Sequence, residues 1–167
     1  MAETQVAEGP ASHSSNHAGN DGSTEKKMQK FTLRAPLLEQ GRSDQTMART
    51  DNLALRLKVY ASGGENGLHT HPNEDHLFLI LAGSARFYDK DGNPTDVSRN
   101  SGIMLPAGAY YRFEATSEEP LVLARVGCRV GQQQMSGRLN IHGKPMPGDS
   151  KENKQVEAIV REGAWFE

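Results

Sequence analysis

The chain has 167 residues, enough for one domain of ordinary size and a tail, and 19 basic against 21 acidic residues give a net charge of -2. The signs are interspersed, which excludes the basic footprint of a nucleic-acid binder. A single cysteine, Cys128, excludes an intrachain disulfide and a thiolate zinc cluster, and its apolar surroundings read as those of a small buried packing residue.

Residues 1–27, rich in Gly, Ser, Asn, Ala and charge, show no apolar period and are expected to form a disordered tail. His13 and His17 lie within it and carry no structural weight. The first thirty residues hold no signal-peptide core and no run reaches membrane-spanning length, so a cytoplasmic protein is expected.

From residue 28 to about 130 the pattern is of short strands broken by turns. LALRLKVY (53–60) alternates, with Leu53, Leu55, Leu57 and Val59 on one face. A Gly-rich turn leads to a strand carrying His69 and His71. HLFLILAG (76–83) is apolar on both faces, as in a strand buried on both sides. SARFY (84–88) ends at DKDG (89–92), a hairpin signal, and GIMLPAG, YYRFEA and LVLARVG complete an all-β series. Residues 131–167 read as a loop and then a short helix. Asp149 and Glu152 resemble a capping box, and Val156, Ile159 and Val160 form an apolar stripe. Trp165 is expected to latch this segment onto the barrel.

Three of the six histidines fall within eight residues. In a strand His69 and His71 project to the same side. Burying both would leave their nitrogens unpaired at a cost of a few kcal/mol each, whereas a metal ion satisfies both. His76 opens the next strand, which can run antiparallel beside the first and close on the same point.

GGENGLHTHPNEDHLFLILAG (63–83) resembles the first motif of the cupin superfamily: Gly, five residues, His-x-His, three or four residues, Glu, six residues, Gly. Gly63 stands five intervening residues before His69, four separate His71 from His76, and six separate His76 from Gly83. His76 thus takes the place of the family's Glu, and Glu74 and Asp75 are expected to face away or to support the ligands from behind. GIMLPAGAYYRFEA (102–115) resembles the second motif, with Pro106 and Gly108 matching and Tyr111 where the family has its fourth ligand, His. The resemblance implies a small single-domain cupin: an all-β jelly-roll barrel over 28–130 holding one divalent transition metal on His69, His71 and His76.

Three neutral imidazoles would leave the ion its full double charge and draw an anionic, chelating substrate such as an enolate, thiol or phenol. Fe(II) or Cu leads, with Zn, Ni, Co and Mn as alternatives. The expected pocket is apolar: Phe78, Ile80 and Phe113 share the pleat side of His76 and Tyr111, with Met104 beside them. Tyr111 is read as a proton donor to bound substrate, its phenol lowered by the cation, with a ligand or a packing role as alternatives. Arg56 and Arg125, in apolar strands, could anchor a carboxylate. A dioxygenase is the leading expectation. A non-oxidative isomerase or lyase and a metal- or ligand-binding module remain beside it. A homodimer is expected, because a second copy commonly covers the strand edges of a lone cupin barrel.

Overall fold

A computed structural model describes residues 27–132 and 137–167. The expected tail over 1–27, His13 and His17 included, lies almost wholly outside them. Among the described residues no helix occurs, and none is long and apolar enough to cross a membrane.

Eleven strands follow in chain order: β1 (Ala35–Gln40), β2 (Arg42–Arg49), β3 (Leu53–Tyr60), β4 (His69–Thr70), β5 (Glu74–Ala82), β6 (Ser84–Tyr88), β7 (Pro94–Ser98), β8 (Gly102–Leu105), β9 (Tyr110–Ala115), β10 (Leu121–Arg129) and β11 (Ile159–Phe166). A five-stranded sheet, β2-β3-β10-β5-β8, faces a four-stranded sheet, β4-β9-β6-β7, and β1 pairs with β11 alone. The jelly roll is therefore a sandwich of two facing sheets rather than one closed hydrogen-bonded ring. All named pairs are antiparallel.

The two-residue period decides what points inward. On β5, Glu74, His76, Phe78 and Ile80 are buried, while Leu79 on the other side is 41% exposed. The outer face of β5 is thus apolar yet partly uncovered, not buried on both sides as its composition implies. Val59, Leu57 and Val122, on the outer face of the large sheet, are covered by Ala35 and Leu38 of β1 together with Phe166 of β11. Between the sheets Phe78, Phe87 and Phe113 pack with ring centroids 4.8–5.7 Å apart. Tyr60, Ile80, Leu121 and Leu123 complete this core. Gly83, which joins β5 to β6, has φ +73, and a Cβ there would lie 2.6 Å from Ser117 Oγ and 3.1 Å from the Leu121 Cα. Only glycine meets both demands.

The C-terminal segment differs from its sequence signals. The turn at 150–154 closes with Asn153 N–H donating to Ser150 O and Lys154 N–H to Lys151 O, then stops at Lys154, whose φ is +53. A continuing helix would need the Asn153 carbonyl, but Arg42 takes it at 2.8 Å, and Arg42 Nε also holds Gln155 at 2.9 Å. The apolar stripe therefore extends as a strand instead of a helix. Leu38 pairs with Val160 and Pro36 with Trp165, an offset accommodated around Gly163 at φ +68. Phe166, not Trp165, packs on the sheet: Trp165 is 45% exposed with the Arg34 guanidinium 3.9 Å above its ring. Cys128 likewise faces outward and is exposed, contrary to the buried role its strand suggests.

Candidate metal centre

The interior is divided along every strand of the large sheet. β10 runs Leu121, Leu123, Arg125, Gly127 on its inner side, and β5 runs Ile80, Phe78, His76, Glu74. Tyr60 of β3 gives way to Lys58 and Arg56. Antiparallel register aligns these changes, so one end of the sandwich is aromatic and aliphatic and the other holds titratable groups. His69 is placed on that end by its pairing with Tyr111, and His71 follows it.

His71, Glu74 and His76 are all buried and each offers a ligand atom within 4.8 Å of the other two. Glu74 Oε2 lies 3.2 Å from His71 Nδ1 and 3.5 Å from His76 Nε2. Glu74 therefore turns inward; of the two expectations for it, that it faces away is corrected, and it stands beside both imidazoles. Asp75 does face away, accepting the Ala107 N–H at 2.7 Å. The signal was present: Glu74 and His76 are two apart in one strand, as His69 and His71 are. His69 is not one of the three. Its ring centroid is 5.2 Å from that of His71, and its Nδ1–H donates to the Gly67 carbonyl at 2.7 Å, which leaves Nε2 as its free donor atom.

Arg125 completes the cluster. Its NH2 donates to His76 Nε2 at 2.7 Å and to Glu74 Oε1 at 3.2 Å. Arginine can only donate, so His76 Nε2 accepts, and its ring proton sits on Nδ1, donating to the Tyr111 hydroxyl at 3.1 Å. A Cβ on Gly127 would stand 3.0 Å from both Arg125 NH2 and Glu74 Oε1, so glycine there makes room for the cluster.

Burial holds the histidines neutral. His76 is pushed down to about 4 and His69 to about 2, and burial likewise lowers His71, with Arg125 adding to the effect and Glu74 opposing it. Burial alone would raise the Glu74 carboxyl; contacts with His71 and His76 and the Arg125 charge instead hold it well below the usual range. Burial raises the Tyr111 phenol.

These residues fit a divalent transition ion. Both ring nitrogens of His71 are buried and lack an aligned hydrogen-bond partner, its 3.2 Å approach to Glu74 being an ion-pair distance only. An ion held by these two imidazoles and one carboxylate would retain one positive charge, against two for the all-imidazole set expected from the sequence. Coordination through His76 Nε2 requires that Arg125 release it, because one lone pair cannot serve both.

The expected apolar pocket is not where the cavity lies. Phe78, Ile80 and Phe113 are each 1% exposed and belong to the packed core. Met104 is 61% exposed, because its pairing with Leu77 puts it on the outer face. A cavity of about 580 Å³ opens instead among Arg42, Lys58, Arg138, His71, Glu74 and Arg125. Tyr111 is not among its lining residues; its hydroxyl meets His76 Nδ1 at 3.1 Å and its ring packs 4.5 Å from that of His69 and 6.4 Å from that of His71, an arrangement that orients the imidazoles. Arg56, which also lines the cavity, is held by Asp44 at 2.6 Å, and Lys58 shares the same carboxylate at 2.9 Å.

The family described as Cupin domain matches residues 56–127. The uncharacterized protein YdbB of Bacillus subtilis (strain 168) is 27% identical over 86 residues, 52% of this chain and 74% of that protein. A double-stranded β-helix protein from Klebsiella pneumoniae superposes with a TM-score of 0.51 at 15% identity, over 56% of this chain and 76% of its own. The cupin domain of Schizosaccharomyces pombe Cnp3 gives 0.51 at 15% identity, over 57% and 76%. Sequence motif, sheet order and these likenesses agree: residues 56–127 of this chain are similar to the cupin domain family, and the fold is that of a small double-stranded β-helix domain.

Proposed function

We propose that the chain is a metal-dependent cupin dioxygenase acting on a small anionic, chelating organic substrate. The observation that carries this is the buried group of His71, Glu74 and His76 at the base of an arginine-lined cavity. Two histidines and one carboxylate with open positions are the donor set of non-haem Fe(II) oxygenases, and Fe(II) is the ion we assign, one per chain. When bound, such an ion supplies Lewis acidity and a place for O₂ beside the chelated substrate. The protein's own part is to orient the His76 ring through its Nδ1 contact with Tyr111, to keep the imidazoles neutral by burial, and to offer positive charge to an anion entering the cavity. His69 Nε2 is the remaining imidazole donor near the group.

The test is elemental analysis of protein purified without chelator, followed by oxygen uptake with Fe(II) and a panel of diketones, thiols, phenols and keto acids. Stoichiometric iron and substrate-dependent uptake are expected. Iron without turnover on any of them would remove the dioxygenase. A second reading has its own support: the Arg125 guanidinium already occupies the lone pair of His76, as in a metal-free ligand-binding module. Protein that retains no transition metal after growth in supplemented medium, yet binds organic anions, would favour it.

A homodimer is proposed as well. Leu53, Leu79 and Met104 are 44%, 41% and 61% exposed on the outer face of the large sheet, and the stripe ends on β8, an edge strand able to meet its copy across a two-fold axis. Light scattering at micromolar concentration should return twice the chain mass; a monomer refutes the proposal.

A further inference from the structure

The charges around the cavity do not balance. Asp44 serves both Arg56 and Lys58, and Glu74 serves Arg125, but Arg42 and Arg138 face no carboxylate within ion-pair distance among the described residues. Arg42 is nonetheless well engaged: its guanidinium donates to Gln155 Oε1 and to the carbonyls of Glu65, Gly148 and Asn153. Arg138 is not, and its Nε–H is buried without a partner. The same holds for Arg125, whose Nε–H is buried and unpartnered although its NH2 is engaged, in a side chain only 7% exposed.

A buried N–H of a guanidinium left unmatched costs a few kcal/mol, and both side chains belong to a wall on which Arg42, Arg49, Arg56, Lys58, Arg125 and Arg138 outnumber Asp44, Glu74 and Asp149. The fit is to a carboxylate, planar and able to take one N–H on each oxygen. The positive field supports an anion independently of those two atoms. Arg138 disfavours the protonated form of Lys58, which lines the same cavity. Lys58, 4% exposed beside the same space, is lowered by burial to about 7 and would regain its charge beside an anion.

We infer that the cavity is a carboxylate site in which Arg125 and Arg138 hold the acid group of a small aliphatic carboxylic acid. This deepens the proposed function, because it names the part of the substrate that the protein holds by its own side chains. It does not depend on a bound ion, and the test is therefore made on metal-free protein.

Chelator-treated full-length chain is titrated by calorimetry with succinate, glutarate and acetate, with succinamide as the neutral counterpart and inorganic phosphate as the competing anion. At least one carboxylate should bind, weakening as salt rises, while succinamide does not. Arg138→Gln should weaken that binding at least tenfold, and Arg138→Lys, which keeps charge but loses the fork, should recover only part of it. Circular dichroism checks that both variants fold. Carboxylates that fail to bind, or that bind Arg138→Gln as well as the parent, overturn the inference. Phosphate binding more tightly than every carboxylate also overturns it. Iron content measured on the same variants separates the two claims. A chain that binds carboxylate but never retains iron loses the dioxygenase and keeps this site; one that retains iron but ignores carboxylates does the reverse.

Discussion

Replacing Arg125 with Met is the sharpest test of where an ion would sit. In the present arrangement the guanidinium donates to His76 Nε2 at 2.7 Å and to Glu74 at 3.2 Å. An ion using both residues must displace these two bonds, each worth ~1.5–3 kcal/mol when a charged group is involved. Allowing the freed guanidinium to find water, about 3 kcal/mol remains, or roughly a hundredfold in affinity. Arg125→Met also leaves the buried Glu74 carboxylate without its cation, which acts in the same direction. We therefore expect the variant to bind Fe(II), or Co(II) as its air-stable substitute, about 100-fold more tightly in competition with a chromophoric chelator. Its metal-free form should be less stable by roughly 3–5 kcal/mol, the usual result of removing one partner of a buried pair. Unchanged or weaker metal affinity in a folded variant would show that the ion does not use His76 and Glu74 together.

Stability should fall in acid in two stages. His76 titrates near 4 in the folded chain against about 6.5 unfolded, so the unfolded state takes up the proton first and about 3 kcal/mol is lost between those values. His69 and His71 act in the same sense, and Glu74, lowered in the folded state, adds a further loss below its unfolded value near 4.5. Urea midpoints that stay flat from pH 7 to 4 would contradict this. Tyr111→Phe removes the partner of the His76 Nδ1–H and loosens the ring; metal affinity should drop several-fold while the fold survives, and unchanged affinity would make Tyr111 a packing residue only. Phe78→Ala should cost about 3–5 kcal/mol by denaturant titration, since its ring is the centre of a filled core rather than a pocket wall. Gly83→Ala should destabilise by at least ~1 kcal/mol from positive φ alone, before its contact with Ser117 is counted.

The strands were readable because alternation is local. LALRLKVY shows in its own letters which residues share a face, although that face lies outside the sandwich, covered by β1 at Leu57 and Val59 and exposed at Leu53, and DKDG closes its hairpin through Asp89 and Asn93 with Gly92 at φ +86. The inward direction of His71 and His76 followed from the same rule. Glu74 was missed because motif counting drew attention to position 76 and away from its neighbour two residues back. The C-terminal helix failed for a different reason: the capping pattern at Asp149 is local, whereas Arg42, which captures the Asn153 carbonyl, is 111 residues away. The cavity was illegible on the same ground. Lys58 and Arg125 are strand residues, but Arg138 arrives from a loop anchored by the backbone bridge between Leu139 and Thr70.

The sharp division of the interior has a consequence for how the strands find one another. Sliding β5 by two positions against β10 keeps every side chain on its proper face, so hydrophobic alternation alone does not forbid it. A slip one way would set His76 opposite Arg125 and carry its imidazole toward the phenyl rings, and a slip the other way would set Phe78 against Gly127, the small residue that accommodates the guanidinium, and Ile80 against Arg125. Each misaligned arrangement would bury polar nitrogen in hydrocarbon, so the groups suited to chemistry at one end also act as a proofreading device for assembly of the whole sheet.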